Sequence, residues 1–230
     1  MSAAAELYAD KRTGYFSNAR TDIQPVIPES AASVLEIGCG GGGTLRWLRG
    51  IRTVGHAMGI ELVDDAAHEA RDVFDEVVVG NIETMDLDLP PDRFDLILML
   101  DVLEHLVDPW QVVARCHKAL KPGGAMVVSI PNVAHYSVAL PLLFRGRWTY
   151  ADEGLLDRTH LRFFVERTAI DLMTSSGLVF EAISRNTLLP RRLGRRLRWY
   201  AKKIIDRLPG HRLFDSQFVI RVRKPAVAPI

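Results

Sequence analysis

Along the chain, apolar positions gather into short runs separated by helical patterns. Val34, Leu35 and Ile37 suit a buried strand, which breaks into Gly38, Gly40, Gly41, Gly42 and Gly43 before a helical pattern resumes at 44–48. His56–Glu61 predicts a second strand ending in a carboxylate, and 64–74 a helix with Ala66, Ala67, Ala70, Val73 and Phe74 on one side. A short third strand is expected at 75–79. Phe94–Leu100 is nearly all apolar, as a strand buried on both faces should be. Pro109 can start a helix over 110–120, and a fifth strand follows over 125–130. A helix over 166–176 closed by Gly177, a sixth strand over 178–184 and a last strand over 216–222 complete the series. Strand, glycine turn and helix in this order predict a doubly wound α/β sheet, in which ligands sit beyond the carboxyl ends of the strands.

Two segments stand outside that alternation. Residues 1–32 read as an N-terminal lead whose short helix is ended by Pro25 and Pro28. Residues 132–164 are long for a connection inside a compact domain, and long ordered loops tend to be lids or binding segments. With these decorations, 1–230 is expected to be one domain.

Composition adds exclusions. Among 230 residues, 48% are apolar and 25% charged, ordinary for a soluble globular protein. Cys39 and Cys116 lie in different segments without a C-x-x-C, which disfavours a disulfide framework or structural zinc and predicts a reducing cytoplasm. MSAAAELYADKRTGYF lacks the long apolar region of a signal peptide, and no run of about 18 apolar residues exists to span a membrane.

Charge is unevenly placed. Residues 1–190 hold 17 Lys+Arg against 26 Asp+Glu, whereas 191–213 hold nine Lys+Arg against Asp206 alone. Within this block Leu193, Leu197, Tyr200, Ile204 and Leu208 recur on one helical face. A basic amphipathic helix over 191–208, inserted at 187–213 between the last two strands, suits an anionic membrane interface. Packing on its own domain or on a homodimer partner fits equally well, and Trp199 and Tyr200 do not decide for nucleic acid.

Gly38, Gly40 and Gly43 satisfy G-x-G-x-x-G, a weak dinucleotide signature on its own. The tighter match is (D/E)-x-G-x-G-x-G at Glu36, Gly38, Gly40 and Gly42, which resembles the first motif of class I S-adenosylmethionine-dependent methyltransferases. FDLILMLDVLEHLVDP at 94–109 looks like the later motif of that superfamily's type 11, 12 and 23 branches, and LKPGG at 120–124 like its usual entry into strand five. The resemblance implies a seven-stranded sheet with an antiparallel last strand and S-adenosylmethionine as cofactor. It also implies Glu36, Gly38 and Gly40 under the methionine moiety, Glu61 and Leu62 at the ribose, Asn81 and Ile82 near the adenine, and Leu100 and Asp101 at the end of strand four. Related enzymes commonly carry Asp where Asn81 stands. Tyr15 and Arg20 either close over the cofactor or are, respectively, an aromatic covering the sheet edge and a solvated arginine.

Methyl transfer to oxygen benefits from a base, and histidine is suited to that near neutral pH. The candidates are His105, His135 and His160, with Glu104 beside the first. SIPNVAHYSV with GRWTYADEGLLDRTHLRFF resembles methyltransferases of bacterial polysaccharide and O-antigen assembly, implying a sugar hydroxyl as acceptor. Tyr136, Phe144, Trp148 and Tyr150 with Arg145, Arg147 and Arg158 either face a carbohydrate or polyanion or pack under a lid. The same region is loosely similar to metal-assisted enzymes acting on quinone precursors or RNA 3′ ends, whose E-x-x-E-H ligands would map to Asp101, Glu104 and His105, with His160 as a further ligand. A non-catalytic methyltransferase fold is disfavoured by the intact glycine turn with Glu36 and Glu61, and an NAD oxidoreductase, the remaining alternative, by Glu36 and the LDVLEHL pattern, which belong to the methyltransferase set.

Overall fold

A computed structural model describes residues 18–187 and 211–226. Its seven strands are β1 (Ser33–Ile37), β2 (His56–Glu61), β3 (Glu76–Val79), β4 (Phe94–Leu100), β5 (Leu120–Pro131), β6 (Val179–Thr187) and β7 (Asp215–Arg223). They form one sheet in the order β3-β2-β1-β4-β5-β7-β6. The first five are parallel, and β7 runs antiparallel to both β5 and β6. This is the expected Rossmann-like sheet.

Alternation along the strands sorts the core into two layers. Leu35, Ile37, Ile97, Met99, Met126 and Val128 pack with Val112, Val113 and Cys116 of α3 (Pro109–Ala119) and with Ala169, Leu172 and Met173 of α5 (Glu166–Thr174). Val34, Leu96, Leu98 and Val127 point the other way, onto Leu45 and Leu48 of α1 (Gly43–Arg49), Ala70 of α2 (Asp64–Ala70) and the segment bearing Ile23 and Val26. Each fully buried aliphatic side chain contributes roughly 1.5–3 kcal/mol relative to exposure. β4 supplies buried residues to both layers, which accounts for its continuous apolar sequence.

Several boundaries differ from expectation. The lead contributes a 3-10 turn at Thr21–Val26, because Pro25 within it cannot donate to an α-helical ladder. β5 begins at Leu120, five residues early, since Leu120 pairs with Phe94 across a register shift before regular pairing starts at Ala125. The 132–164 connection is not all loop: α4 (Tyr136–Arg145) occupies its first third, with Pro141 inside it. The expected basic helix at 191–208 lies outside the described residues. Among the described residues no helix is long and apolar enough to cross a membrane.

Candidate functional site

Strand order reverses between β1, which leads to β2, and β4 on its other side, so a crevice opens at their carboxyl ends. The first residue beyond β1 is Gly38 at φ +71°, and a Cβ there would lie 2.7 Å from Cγ2 of Val102. Only glycine accommodates both the left-handed turn and this approach. The first residue beyond β4 is Asp101, also left-handed at φ +59°.

The crevice is a cavity of about 420 Å³, within the size range of small-molecule sites. Arg20, Glu36, Gly38, Gly40, Glu61, Leu62, Asn81, Ile82, Leu100, Asp101 and His105 all line it. Tyr15 lies outside the described residues. Glu61 is buried: one carboxylate oxygen accepts the Gly40 N–H at 2.8 Å, and the other accepts the N–H groups of Leu62 and Val63 at 2.8 and 3.0 Å. Asn81 turns its side-chain oxygen to the Glu83 N–H at 2.9 Å. Glu36 is buried and Thr44 hydrogen-bonds it, yet its Oε2 has no partner among the described residues. Burial, with Glu61 nearby, pushes its carboxyl up to about 8. An orphaned carboxylate oxygen facing a cavity is what a ligand carrying an ammonium group would complete.

Arg20 is more heavily engaged than its sequence position suggested. Its guanidinium forks onto both oxygens of Asp22 at 2.9 Å and donates to Asp101, to Ser129 Oγ at 3.1 Å and to Gln217 Oε1 at 3.0 Å. Asp101 accepts also from Ser129 Oγ at 2.8 Å and from the Gln217 amide. These contacts occupy Asp101, and it is not among the clustered ligand-capable side chains that its E-x-x-E-H alignment would have it join.

That cluster consists of Glu104, His105 and His160, whose ligand-capable atoms lie within 4.8 Å of one another. A 3-10 turn at Leu103–His105 presents the first two. The carbonyl of Glu104 accepts the N–H groups of Leu161 and Arg162 at 2.8 and 2.9 Å, which ties the 132–164 connection to the turn and brings His160 beside it. The two imidazoles meet edge to face, 4.7 Å between centroids. Nδ1 of His105 lies 3.1 Å from the Thr159 carbonyl and Nδ1 of His160 lies 3.3 Å from that of Leu155. A carbonyl only accepts, so Nδ1 is the donor in each ring, and in the neutral form of the ring Nε2 carries the lone pair. Glu104 is buried with neither carboxylate oxygen hydrogen-bonded among the described residues; burial and then Asp101 push its carboxyl well above the usual range. A buried carboxylate with two imidazole lone pairs is a donor set that fits a divalent cation.

His135 does not join the site. It begins α4, with Nδ1 2.8 Å from Ser137 Oγ and its ring against Tyr136. Of the aromatic set, Trp148 packs edge-on to Phe163, while Phe144 and Tyr150 are exposed. Thr44, Val107 and Leu161 line the cavity without having been singled out. Thr44 opens the helix after the glycine turn, a readable signal; Val107 and Leu161 carried none.

A family model described as a methyltransferase domain matches residues 8–183, and the chain belongs to that family. It is a class I S-adenosylmethionine-dependent methyltransferase, an enzyme whose cofactor is S-adenosylmethionine. Among curated relatives, a ubiquinone biosynthesis O-methyltransferase of Cereibacter sphaeroides is 27% identical over 172 residues, covering 71% of this chain and 70% of its own. Solved structures sharing the fold include a SAM-dependent methyltransferase from Thermotoga maritima (TM-score 0.61, 21% identical, 88% of this chain and 85% of that one). Another is an S-adenosylmethionine dependent methyltransferase from Mesorhizobium loti (TM-score 0.61, 18% identical, 88% and 95%).

Proposed function

We propose that this enzyme methylates a hydroxyl oxygen, with a sugar of a surface polysaccharide or lipid-linked glycan as the acceptor. The observation that carries the oxygen acceptor is the His105–His160 pair beside the cofactor cavity, each ring turned so that Nε2 holds a lone pair. The sugar is supported by Tyr150 and Arg158, exposed on the 132–164 connection that carries His160. Bound S-adenosylmethionine supplies a methyl carbon made electrophilic by its sulfonium. The chain's own part is to hold the hydroxyl in line with that carbon and to take its proton. Positioning can supply much of the rate, and a placed base about 10²–10⁴-fold.

A second reading has its own support. The orphaned Glu104 carboxylate beside two imidazoles, together with the ubiquinone-biosynthesis relatives, favours a phenolic quinone precursor as acceptor and a divalent cation held by Glu104, His105 and His160. A cation there would place positive charge beside the acceptor hydroxyl and favour its ionised form.

Mass spectrometry of reactions with nucleotide sugars, lipid-linked glycans and phenolic quinone precursors separates the two. Methylation of the phenolic compounds alone would overturn the sugar reading. His105→Ala and His160→Ala should each cut turnover by about 10²–10⁴-fold with cofactor affinity unchanged. Loss of activity in EDTA, restored by magnesium, assigns the cluster to a cation; full activity in both variants removes its role.

A further inference from the structure

The face of α4 is built unlike the rest of the surface. Tyr136, Leu140, Leu143 and Phe144 follow helical spacing along one side, and Leu143 and Phe144 are 73% and 76% exposed. Only Val138 of this helix is buried. A contiguous apolar strip on an exposed helix marks an interaction site rather than scattered surface hydrophobicity.

Charge and neighbouring residues narrow the occupant. Arg145 and Arg147 follow the strip directly and are exposed, and no Asp or Glu occurs between Asp108 and Asp152. Tyr150 follows and is exposed, a residue type that sits at the headgroup level of a bilayer. The 3-10 turn at His211–Phe214 packs beside α4, with Phe214 5.6 Å from Tyr136 ring to ring, which extends the apolar strip. Apolar side chains flanked by arginines and an interfacial aromatic complement an anionic headgroup surface. A second copy of the chain is disfavoured by size. A ten-residue helix is about 15 Å long and 10 Å wide, far below the roughly 800 Å² per partner of a stable interface.

We infer that α4 is a docking face for an anionic lipid bilayer, with Leu140, Leu143 and Phe144 entering the headgroup–acyl boundary and Arg145 and Arg147 meeting phosphate groups. β5 ends at Pro131, just past Ser129, which hydrogen-bonds Asp101, and α4 follows at Tyr136, so the docking face stands on the same sheet edge as the site. Docking there presents the crevice to acceptors at the membrane surface. This inference does not depend on which hydroxyl is methylated.

Flotation of the full chain with vesicles of phosphatidylglycerol and phosphatidylcholine, against phosphatidylcholine alone, tests it. The parent should float only with the anionic vesicles, more weakly at high salt. Leu143→Ser with Phe144→Ser should weaken partitioning at least about tenfold, and Arg145→Gln with Arg147→Gln by about fivefold per charge. Because these side chains are exposed, melting temperature and cofactor affinity should stay at parental values, which confirms folding. The inference is overturned if the parent does not float, or if the Leu143/Phe144 variant floats like the parent. It is equally overturned if binding is lost only when Arg195, Arg196, Lys202 and Lys203 are changed to Glu. A parental dimer that the Leu143/Phe144 variant turns into monomer would assign the face to a second copy instead.

Discussion

At the residue scale, two buried glutamates at successive strand ends behave differently because their partners differ. Glu61 spends its oxygens on three backbone N–H groups, so it is fixed in place before any ligand arrives. Glu36 keeps one orphaned oxygen, and its carboxyl, held up to about 8 by burial, is largely neutral at pH 7. A cationic group beside Glu36 favours its ionised form, so binding a ligand's ammonium there releases a proton. Cofactor affinity should therefore rise with pH toward about 8, by up to about tenfold per unit. Titration calorimetry in buffers of different ionisation enthalpy reads that proton, and Glu36→Gln should bind more weakly with the slope gone. A parent without slope would detach Glu36 from the ammonium. Stability carries the complementary sign. The folded state keeps a proton that the unfolded chain loses above the ordinary carboxylate range, so this group's contribution falls as pH rises from there to about 8. The Gln variant should lose that fall.

At the element scale, β4 is the strand on which both core layers depend. Leu98 is fully buried, and Leu98→Ala should cost about 2–5 kcal/mol in denaturant unfolding, against less than about 0.5 kcal/mol for an exposed change such as Glu153→Ala. Comparable losses would mean that β4 is not the central support. The parallel strands were legible because each combines an apolar run with a helix signal of different period, and the glycine turn was legible because its backbone needs are written in residue type. α4 was not. Its apolar residues face outward, so its pattern is not that of a core helix, and Pro141 argues against a helix interior. The candidate site was legible in the same measure. Residues at strand ends were found from spacing, and His160 from its motif, but its arrival beside Glu104 depends on backbone bonds from Leu161 and Arg162 that no side-chain type announces.

At the scale of the whole molecule, the contact least visible in the sequence ties the two ends of the described chain together. Arg20 reaches Asp22, Asp101, Ser129 and Gln217, and Asn186 closes the network by donating to Asp22 at 2.7 Å and to Gln217 at 3.1 Å. The lead, β4, β5 and the β6–β7 hairpin thus meet at one guanidinium, across a sequence separation of 197 residues. Burial raises the Asp22 carboxyl, but the hydrogen bonds and charge of Arg20 together with the Asn186 hydrogen bond outweigh it and hold the group below the usual carboxylate range. A depressed acid contributes stability above its unfolded pKa and loses it as pH falls, so this network should weaken on the acid side. Arg20→Ala leaves Asp22 and Asp101 without their cation. Since both are partly solvated, the loss should be about 2 kcal/mol, a Tm drop of about 4–8 °C, smaller near pH 3 than at pH 7. The double variant Arg20→Ala with Gln217→Leu decides whether the tether acts as a unit: the two losses should fall short of additivity by about 0.5–3 kcal/mol. Simple addition would mean that the hairpin is held by sheet pairing alone, and that Arg20 serves the crevice rather than the fold.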